Sequence, residues 1–344
     1  MSTIIGAIKR IHLTCFGTIV LAWAGQAIAH HGWTTHYDGD VYLSVTGTIT
    51  DFQFVNPHAF VYLEIVNDAG ETETRWCEMQ SRVQLERRGV SAEHFAVGST
   101  ITIEGFASRR ELIGCELAIA HFPDGTDLVL RHRDGEAVFG APLVEGDTSI
   151  VGTWYPDAYL VDAGSAADSG GQLTSEGEAA HAAFDFETQN PTLSCNPASN
   201  LRAWAAPGLP TRISRQENEI HIQHEFMDVH RVIRLDETAH SLDGQTTDLG
   251  HSIGRFEGDA LYIETAQYRA GALWAGRLNT ADLTTTEKLW VDAETGLLHL
   301  DWTATDPAYY TDTQRGSRTF VRTDLELGRF DCVPELGHAP TGSQ

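Results

Sequence analysis

Short β-rich runs separated by turn signals extend through most of this 344-residue chain and restrict the folds open to it. Residues 59–66 and 284–291 are typical of these runs, since both are rich in β-branched and aromatic residues. Turn sequences such as Glu257-Gly258-Asp259 separate neighbouring runs. The pattern predicts an all-β fold class with minor α content.

The N-terminus has the features of an export signal. Lys9 and Arg10 precede a mostly apolar segment, and Ala27-Ile28-Ala29 forms a small-residue cleavage site. We therefore expect a signal peptide over residues 1–29 and a mature chain that begins with His30 and His31. This predicts a periplasmic or secreted protein with no stable membrane insertion after cleavage.

The charge balance restricts the partners. The chain has 23 Lys and Arg against 48 Asp and Glu, a formal charge of −25. Removing Lys9 and Arg10 with the signal leaves 21 against 48, or −27. A surface of this sign repels nucleic acid and anionic lipid, so we expect no nucleic-acid partner. The length of the mature chain predicts two domains.

The order of elements predicts an OB-like barrel over residues 30–131. Three strand-like runs, a short helix that Ser81 would cap and Gly89 would end, and two further strand-like runs follow one another here. In an OB barrel the third and fifth strands pair, which would bring Cys77 and Cys115 together. The other two cysteines outside the signal, Cys195 and Cys332, would then form a second disulfide between the beginning and the end of the second domain.

The second domain follows a polar linker, residues 132–148. Residues 149–333 begin with Gly152-Thr153-Trp154 and continue as strand after strand, which predicts a lipocalin-like β-barrel. We expect a mobile loop over residues 163–182 and a C-terminal tail over residues 334–344. A small-molecule ligand inside this second barrel is the expected partner.

Each half resembles an uncharacterised group of exported bacterial proteins. The first half has three motifs of a small secreted family of unknown function, namely His30-His31, Asn56-Pro57-His58-Ala59 and Trp76-Cys77-Glu78-Met79. The second half has the long Gly250-His251-Ser252-Ile253-Gly254 motif of a lipocalin-like group. It departs from that group at Asn279-Thr280-Ala281-Asp282, where relatives have a histidine. The resemblances imply folds and an export address but no reaction.

The histidines of the first domain carry the metal hypothesis. A free amine and ring at His30, with nitrogen from His58 on its proline-fixed turn or from the adjacent His31, would suit Cu(II). Copper is therefore the candidate cofactor, and we find no nucleotide-binding motif. The alternative is that His30 and His31 are solvated residues of a frayed terminus and that His58 is an ordinary turn residue.

Two further groups of side chains are candidates in the second domain. His221, His224, Glu225 and His230 do not align on one face of a single strand, which favours a partly solvated barrel strand over a metal site. His251, Glu264 and Asp306, with Arg255, would suit acid–base catalysis if they converged on a cavity, and would otherwise form structural ion pairs. The leading interpretation is a periplasmic binding protein with copper at its processed N-terminus. The alternative is an enzyme acting on a small molecule held in the second barrel.

We predict processing between Ala29 and His30, because the small residues at 27 and 29 match the specificity of signal peptidases. Intact mass measurement of protein recovered from the exported fraction should give the mass of residues 30–344. A mass that includes residues 1–29 would contradict the prediction and remove the free amine that the copper hypothesis needs.

Overall fold

Strands dominate the computed structural model, which describes residues 36–67, 69–109, 111–133, 142–156, 171–240, 244–274 and 277–334. The predicted signal peptide, His30 and His31, part of the predicted linker and the C-terminal tail lie outside these ranges. No helix within the described ranges is long and apolar enough to span a bilayer.

The first sheet has six strands, joined in the order β3-β2-β1-β4-β5-β6. Its strands are β1 (Tyr37–Gln53), β2 (Phe60–Val66), β3 (Thr72–Glu78), β4 (Thr100–Ser108), β5 (Gly114–His121) and β6 (Asp127–Val129). Helix α1 (Arg82–Arg87) and the 3-10 helix Ala92–Phe95 lie between β3 and β4. The order of strands and helix over β1 to β5 agrees with the sequence prediction, whereas the short β6 was not predicted.

Pairing of β3 with β5 closes the first five strands into an OB-like barrel. These two strands run parallel, with Cys77 directly opposite Cys115. The two cysteines form a disulfide with Cα atoms 4.5 Å apart. The long strand β1 pairs with both β2 and β4, and a register shift between Ile49 and Asp51 allows it to bend around the barrel. The predicted barrel and its disulfide are both confirmed.

Helix α1 begins and ends where the sequence predicted. Ser81 and Gln84 form a reciprocal capping box at its N-terminus. After Arg88 the chain reaches Gly89 at φ +76°, a left-handed conformation that favours glycine. Val83 and Leu85 are its buried residues. The two lie on different sides of the helix: Leu85 joins the core of the first barrel, while Val83 faces the second half of the chain.

The second half forms a closed barrel of nine strands. Its strands are β7 (Gly152–Pro156), β8 (Thr211–Gln216), β9 (Glu219–His224), β10 (His230–Arg234), β11 (His251–Glu257), β12 (Ala260–Ala266), β15 (Thr284–Val291), β16 (Leu298–Thr305) and β17 (Gln314–Thr323). The hairpin of β13 (Gly271–Trp274) and β14 (Arg277–Asn279) stands outside the barrel wall.

The barrel has the simple connectivity of a lipocalin-like meander. Each wall strand pairs with the wall strand that follows it in the chain, and β17 closes the barrel by pairing with β7. The pairings are antiparallel except for β10 with β11, which run parallel. The predicted fold class, an OB-like barrel followed by a lipocalin-like β-barrel, is confirmed.

Short helices interrupt the long connection between β7 and β8. They are α2 (Ser175–Ala183), α3 (Phe186–Gln189) and α4 (Asn200–Trp204). The expectation of a mobile loop was wrong for residues 175–182, while residues 163–170 lie outside the described ranges. Thr174 caps α2 by accepting a hydrogen bond from the Gly177 amide, and alanine and glutamate inside it are strong helix formers.

The second predicted disulfide is confirmed as well. Cys195 and Cys332 are bonded, with Cα atoms 5.8 Å apart, and close a loop of 137 residues. Disulfides of this kind persist in oxidising compartments, which agrees with an extracellular environment. The bond ties the C-terminal segment after β17 to the connection that carries α4.

Asn56 joins this C-terminal segment to the first barrel. The side chain is fully buried; its amide nitrogen donates to the Phe330 carbonyl, and its amide oxygen accepts from the Val83 amide at 3.2 Å. The Val333 amide donates to the Asn56 backbone carbonyl at 2.8 Å. In the Asn-Pro-His-Ala motif, Asn56 is therefore a structural residue that holds two distant parts of the chain together.

A buried apolar cluster and an ion pair complete this junction. The cluster consists of Val83, Ala203, Ala206, Leu209, Phe226, Val229 and Phe330. Beside it, the Arg87 guanidinium pairs with Glu225, whose side chain is fully buried and also accepts from the Gly328 amide at 2.8 Å. Glu225 therefore serves this junction, and His221 and His230 lie elsewhere on the wall.

We predict that Asn56→Ala lowers the free energy of unfolding by about 2–4 kcal/mol, because it leaves the Val83 amide and the Phe330 carbonyl buried without partners. Urea denaturation measures the change. Asn218→Ala, at an exposed turn, is the control and should change stability by less than about 1 kcal/mol. Equal losses in the two variants would contradict the role assigned to Asn56.

Candidate functional site

A buried ion pair occupies the interior of the second barrel. Arg231 on β10 and Glu287 on β15 are 4% and 2% exposed. The guanidinium donates from Nη1 to one carboxylate oxygen at 3.0 Å and from Nη2 to the other at 2.5 Å. This bidentate geometry is the strongest arrangement available to an arginine and a carboxylate.

Helix α4 completes the hydrogen bonding of this carboxylate from inside the barrel. Trp204 donates from Nε1 to Glu287 Oε1 at 2.7 Å, and Asn200 donates from Nδ2 to Oε2 at 3.0 Å. Tyr268 donates in turn to the Asn200 amide oxygen at 2.7 Å. Burial raises the pKa of Tyr268, so its hydroxyl remains protonated as a donor.

Two further donors of Arg231 are also satisfied. Its Nε donates to the Ser252 hydroxyl at 2.9 Å and its Nη2 to the Thr265 hydroxyl at 2.7 Å. Side chains and helix α4 therefore occupy the described interior at this level of the barrel. Each buried charge of this network has a partner of opposite charge, as is typical of a structural core.

His224 is buried beside this network. It is 2% exposed, its Nδ1 lies 2.8 Å from the Thr211 hydroxyl, and its ring packs edge-on against Trp204 at 4.7 Å between ring centres. Burial lowers the pKa of His224 to about 3, with a smaller contribution from the positive charge of Arg231. The ring is therefore neutral at physiological pH.

Asp306 stabilises a turn, a role different from that of the other proposed catalytic residues. It is buried, and its two carboxylate oxygens accept hydrogen bonds from the Thr280 amide at 2.6 Å and the Thr280 hydroxyl at 3.0 Å. Thr280 belongs to the Asn279-Thr280-Ala281-Asp282 segment, in which the sequence departs from the group that it resembles. This contact fits the structural alternative that the sequence left open for Asp306.

His251 and Glu264 come together on the outer wall of the barrel. Their chain neighbours Ser252 and Thr265 are buried inside, so alternation along β11 and β12 directs His251 and Glu264 outward. The side chains of His251 and Glu264 are 29% and 58% exposed. These two candidates therefore share a surface site that does not open into the barrel interior.

His240 and Glu237 complete this surface cluster. The Nδ1 atoms of His240 and His251 lie 2.9 Å apart. Glu237 Oε2 lies 3.2 Å from Nε2 of His251, and Glu264 Oε1 lies 3.7 Å from Nε2 of His240. Burial, together with the neighbouring His251, lowers the pKa of His240. His240 and Glu237 were not predicted from the sequence, because they lie outside the strands and their contacts across the loop cannot be read from a periodic pattern.

A second histidine pair lies on the same wall. His221 Nδ1 and His230 Nε2 lie 2.9 Å apart, with the two rings inclined by only 24°. Nε2 of His221 lies 3.0 Å from Glu219, although outside hydrogen-bonding geometry. Alternation along a single strand does not reveal this pair, because it forms between the adjacent strands β9 and β10.

His58 lies on the first barrel beside a carboxylate. Its Nδ1 is 3.1 Å from Glu78 Oε1, and 46% of the side chain is exposed. The other oxygen of Glu78 accepts a hydrogen bond from the Tyr37 hydroxyl. Of the predicted copper ligands, His58 is the one that the structure describes; His30 and His31 lie outside the described ranges. Within those ranges no three His, Cys, Asp or Glu side chains are grouped as a metal site.

The outer wall also contains an open groove of about 590 Å³. Arg255, Tyr262, Glu264, Lys288, Asp301 and Arg315 are among the residues that line it. Arg255 and Lys288 lie over the ring of Tyr262, at 5.4 and 5.6 Å from its centre. Arg255 therefore takes part in surface cation–π packing and an ion pair with Glu257.

Comparison with known proteins identifies a family match in the first half of the chain. Residues 19–115 match the model of a family of unknown function (DUF6152). No curated protein matches the chain. Among solved structures, a crystal structure of a variant of the fluorescent protein UnaG is similar at 18% identity, over 51% of this chain and 97% of that chain, with a TM-score of 0.25. These similarities assign no activity.

We predict that His224 makes the protein sensitive to acid. Its pKa is about 3 in the folded state and about 6.5 in an unfolded chain, so the unfolded state alone binds the proton between these values. The stabilising contribution is complete above about pH 6.5 and is lost as the pH falls towards 3.

The test compares urea denaturation from pH 7 to pH 4 for the native chain and for the double variant Thr211→Val with His224→Phe, which removes the hydroxyl and the ring nitrogens together. We expect the dependence of unfolding free energy on pH to decrease by up to one proton in the variant. An unchanged slope would show that His224 is not a source of the acid sensitivity.

Proposed function

We propose that the protein is an exported binding protein that holds a copper ion at its processed N-terminus. The proposed ligands are the amine and ring of His30 and the ring of His58, with His31 as the alternative third donor. The observation that supports this proposal most directly is the contact between His58 and Glu78 at 3.1 Å.

Metal-binding histidines commonly have a carboxylate behind the nitrogen that does not bind the metal. Such a carboxylate fixes the orientation of the ring and makes the other nitrogen a better donor. In this protein Glu78 has that position relative to Nδ1 of His58, and the Tyr37 hydroxyl holds Glu78 in turn. The arrangement would prepare Nε2 of His58 to act as a ligand.

Chain geometry allows His30 to take part. Tyr37, the first residue of β1, contacts Glu78 through its hydroxyl and follows His30 by seven residues. A segment of that length reaches up to about 25 Å. An N-terminal amine and two imidazoles form the nitrogen set that Cu(II) prefers among divalent first-row ions. The site would therefore combine a fixed ligand on the barrel with a terminal ligand.

We do not propose an enzyme. Asp306 is bound to a turn, and His251 and Glu264 face outward, so these three candidates do not converge inside the second barrel. Binding without catalysis is also compatible with the buried ion pair of Arg231 and Glu287.

We predict that protein beginning at His30 binds one Cu(II) and that one additional N-terminal alanine abolishes this binding, because it converts the His30 amine into a peptide nitrogen. Isothermal titration with Cu(II) in competition with a chelator measures the change. Binding should also weaken below about pH 6.5, where imidazoles take up protons.

Variants of the first barrel make the test specific. We expect His58→Ala to weaken Cu(II) binding strongly and Glu78→Gln to weaken it by about 10–100-fold. His132→Ala, an exposed histidine of the same half, is the matched control and should leave the affinity unchanged. Equal affinity of the native and alanine-extended proteins for Cu(II) would disprove the proposal. If His58→Ala leaves the affinity unchanged, His31 rather than His58 is the third donor.

A further inference from the structure

One lysine is present in the chain outside the predicted signal peptide. The sequence has two lysines, Lys9 within that segment and Lys288 on β15, against 20 arginines after residue 29. The ion pairs of the described residues are formed by arginine and histidine. A lysine differs from both, because it places a compact charge with three N–H donors at the end of a flexible stem. Lys288 is therefore the one cation of its kind in the mature chain.

Two aromatic rings hold the ammonium group of Lys288. Its Nζ lies 4.4 Å from the centre of the Trp290 ring and 5.6 Å from that of the Tyr262 ring. His299 stacks on Trp290 at 5.1 Å between ring centres and supports it. The rings attract the charge but offer no oxygen or nitrogen acceptor. In the part of the chain that the structure describes, the ammonium forms no ion pair and no hydrogen bond, so its donors are available to a ligand.

The open groove beside Lys288 is lined by two rows of side chains on the outer wall. Within each row, neighbours stand directly opposite one another on adjacent strands. The first row is Arg255, Tyr262, Lys288, Asp301 and Ser317, and the second is Glu264, Thr286, Thr303 and Arg315. The first row crosses five strands, or about 19 Å. The volume of the groove, about 590 Å³, is within the range of about 300–1,000 Å³ that is usual for small-molecule sites.

The charges of the groove favour a ligand with one anionic group. Lys288 and Arg315 have no carboxylate partner among the described residues, whereas Arg255 pairs with Glu257 at 3.0 Å. An anion would therefore complete the charge of Lys288. The chain as a whole has a formal charge of −25, which repels polyanions at long range. A ligand with a single negative group meets the local cation with the least repulsion.

The other groups of the groove suit hydroxyls. Asp301, the cross-strand neighbour of Lys288, is exposed, and its carboxylate can accept hydrogen bonds from two donors. The hydroxyls of Thr286 and Thr303 lie 2.7 Å apart, so one donates to the other and the pair keeps a proton and lone pairs for a ligand. The ring of Tyr262 already contacts two cations, which leaves little of it for stacking on an aromatic ligand. These features indicate a ligand with several hydroxyls.

We propose that this groove binds an acidic sugar that has a single carboxylate, of the hexuronate class. The carboxylate contacts the Lys288 ammonium, and the sugar hydroxyls contact Asp301 and the pair of Thr286 with Thr303. The site is independent of the proposed copper site, since it uses other residues on the other barrel and needs no metal.

The single lysine makes the site directly observable. Reductive ¹³C-methylation of the full mature chain labels the Lys288 amine and the N-terminal amine, and it keeps their positive charge. Titration with D-galacturonate or D-glucuronate in metal-free buffer should shift the Lys288 methyl signal saturably. The N-terminal signal should stay unchanged, which serves as an internal control.

Two further probes separate the charge from the hydroxyls. The methyl ester of D-galacturonate keeps the hydroxyls without the charge, and acetate keeps the charge without the hydroxyls. Each should bind more weakly than D-galacturonate by about tenfold or more, because each loses hydrogen bonds to charged groups.

Variants locate the site, with binding of unlabelled protein followed through the ligand by saturation-transfer NMR. Lys288→Gln and Asp301→Asn should weaken the binding of D-galacturonate by about tenfold or more. Arg329→Gln is the matched control, because it makes the same change in net charge as Lys288→Gln at a side chain that is 83% exposed and outside the groove. It should leave the affinity unchanged. Circular dichroism and a urea transition confirm that each variant is folded.

Three results would overturn the proposal. They are the absence of a saturable shift with either sugar acid, equal affinity for acetate and D-galacturonate, and an unchanged affinity of Lys288→Gln for D-galacturonate.

Discussion

The carboxylate of Glu287 lies inside the second barrel. An ionised acid is stable there only if a partner neutralises its charge and its lone pairs accept hydrogen bonds. Arg231 on β10 neutralises the charge, and Trp204 and Asn200 supply two further donors. Because both of these residues belong to helix α4, the buried charge determines where that helix lies. The rest of the second half is organised around this position.

The consequence extends to the first barrel. Helix α4 and the residues after it contribute Ala203, Ala206 and Leu209 to the cluster that receives Val83 from helix α1 and Phe330 from the C-terminal segment. Asn56 and the pair of Arg87 with Glu225 then hold the same junction through polar contacts. A buried ion pair in one barrel is thus connected, through one short helix, to the contact between both halves.

Candidate residues of both barrels lie at the surface. His251 and Glu264 were expected to converge on a cavity if the protein were an enzyme, yet they lie on the outer wall with His240. His58 likewise lies at the surface of the first barrel, beside Glu78. The described histidines that approach carboxylates, His58, His240 and His251, therefore lie at the surface of the two barrels.

Period-two alternation and turn residues determined most of the strands, because each strand buries one face and local sequence records which face that is. The same order of elements predicted both barrels, and the pairing of the third and fifth strands predicted that Cys77 lies beside Cys115. The Cys195–Cys332 pair followed as the two cysteines that remained. Alternation also contained a signal for Glu287, which shares its face with the buried Thr285 and Leu289, although the sequence analysis did not use it.

Only the tertiary structure decided which polar residues meet. Arg231 and Glu287 are 56 residues apart, and His221 meets His230 across two strands rather than along one. A helix in a segment rich in glycine, serine and alanine was missed because composition obscured its helix formers and the cap at Thr174. Local sequence determines how a segment folds and which face it buries, whereas the partner of a buried charge or a surface histidine depends on strand register and barrel closure, which no single segment records.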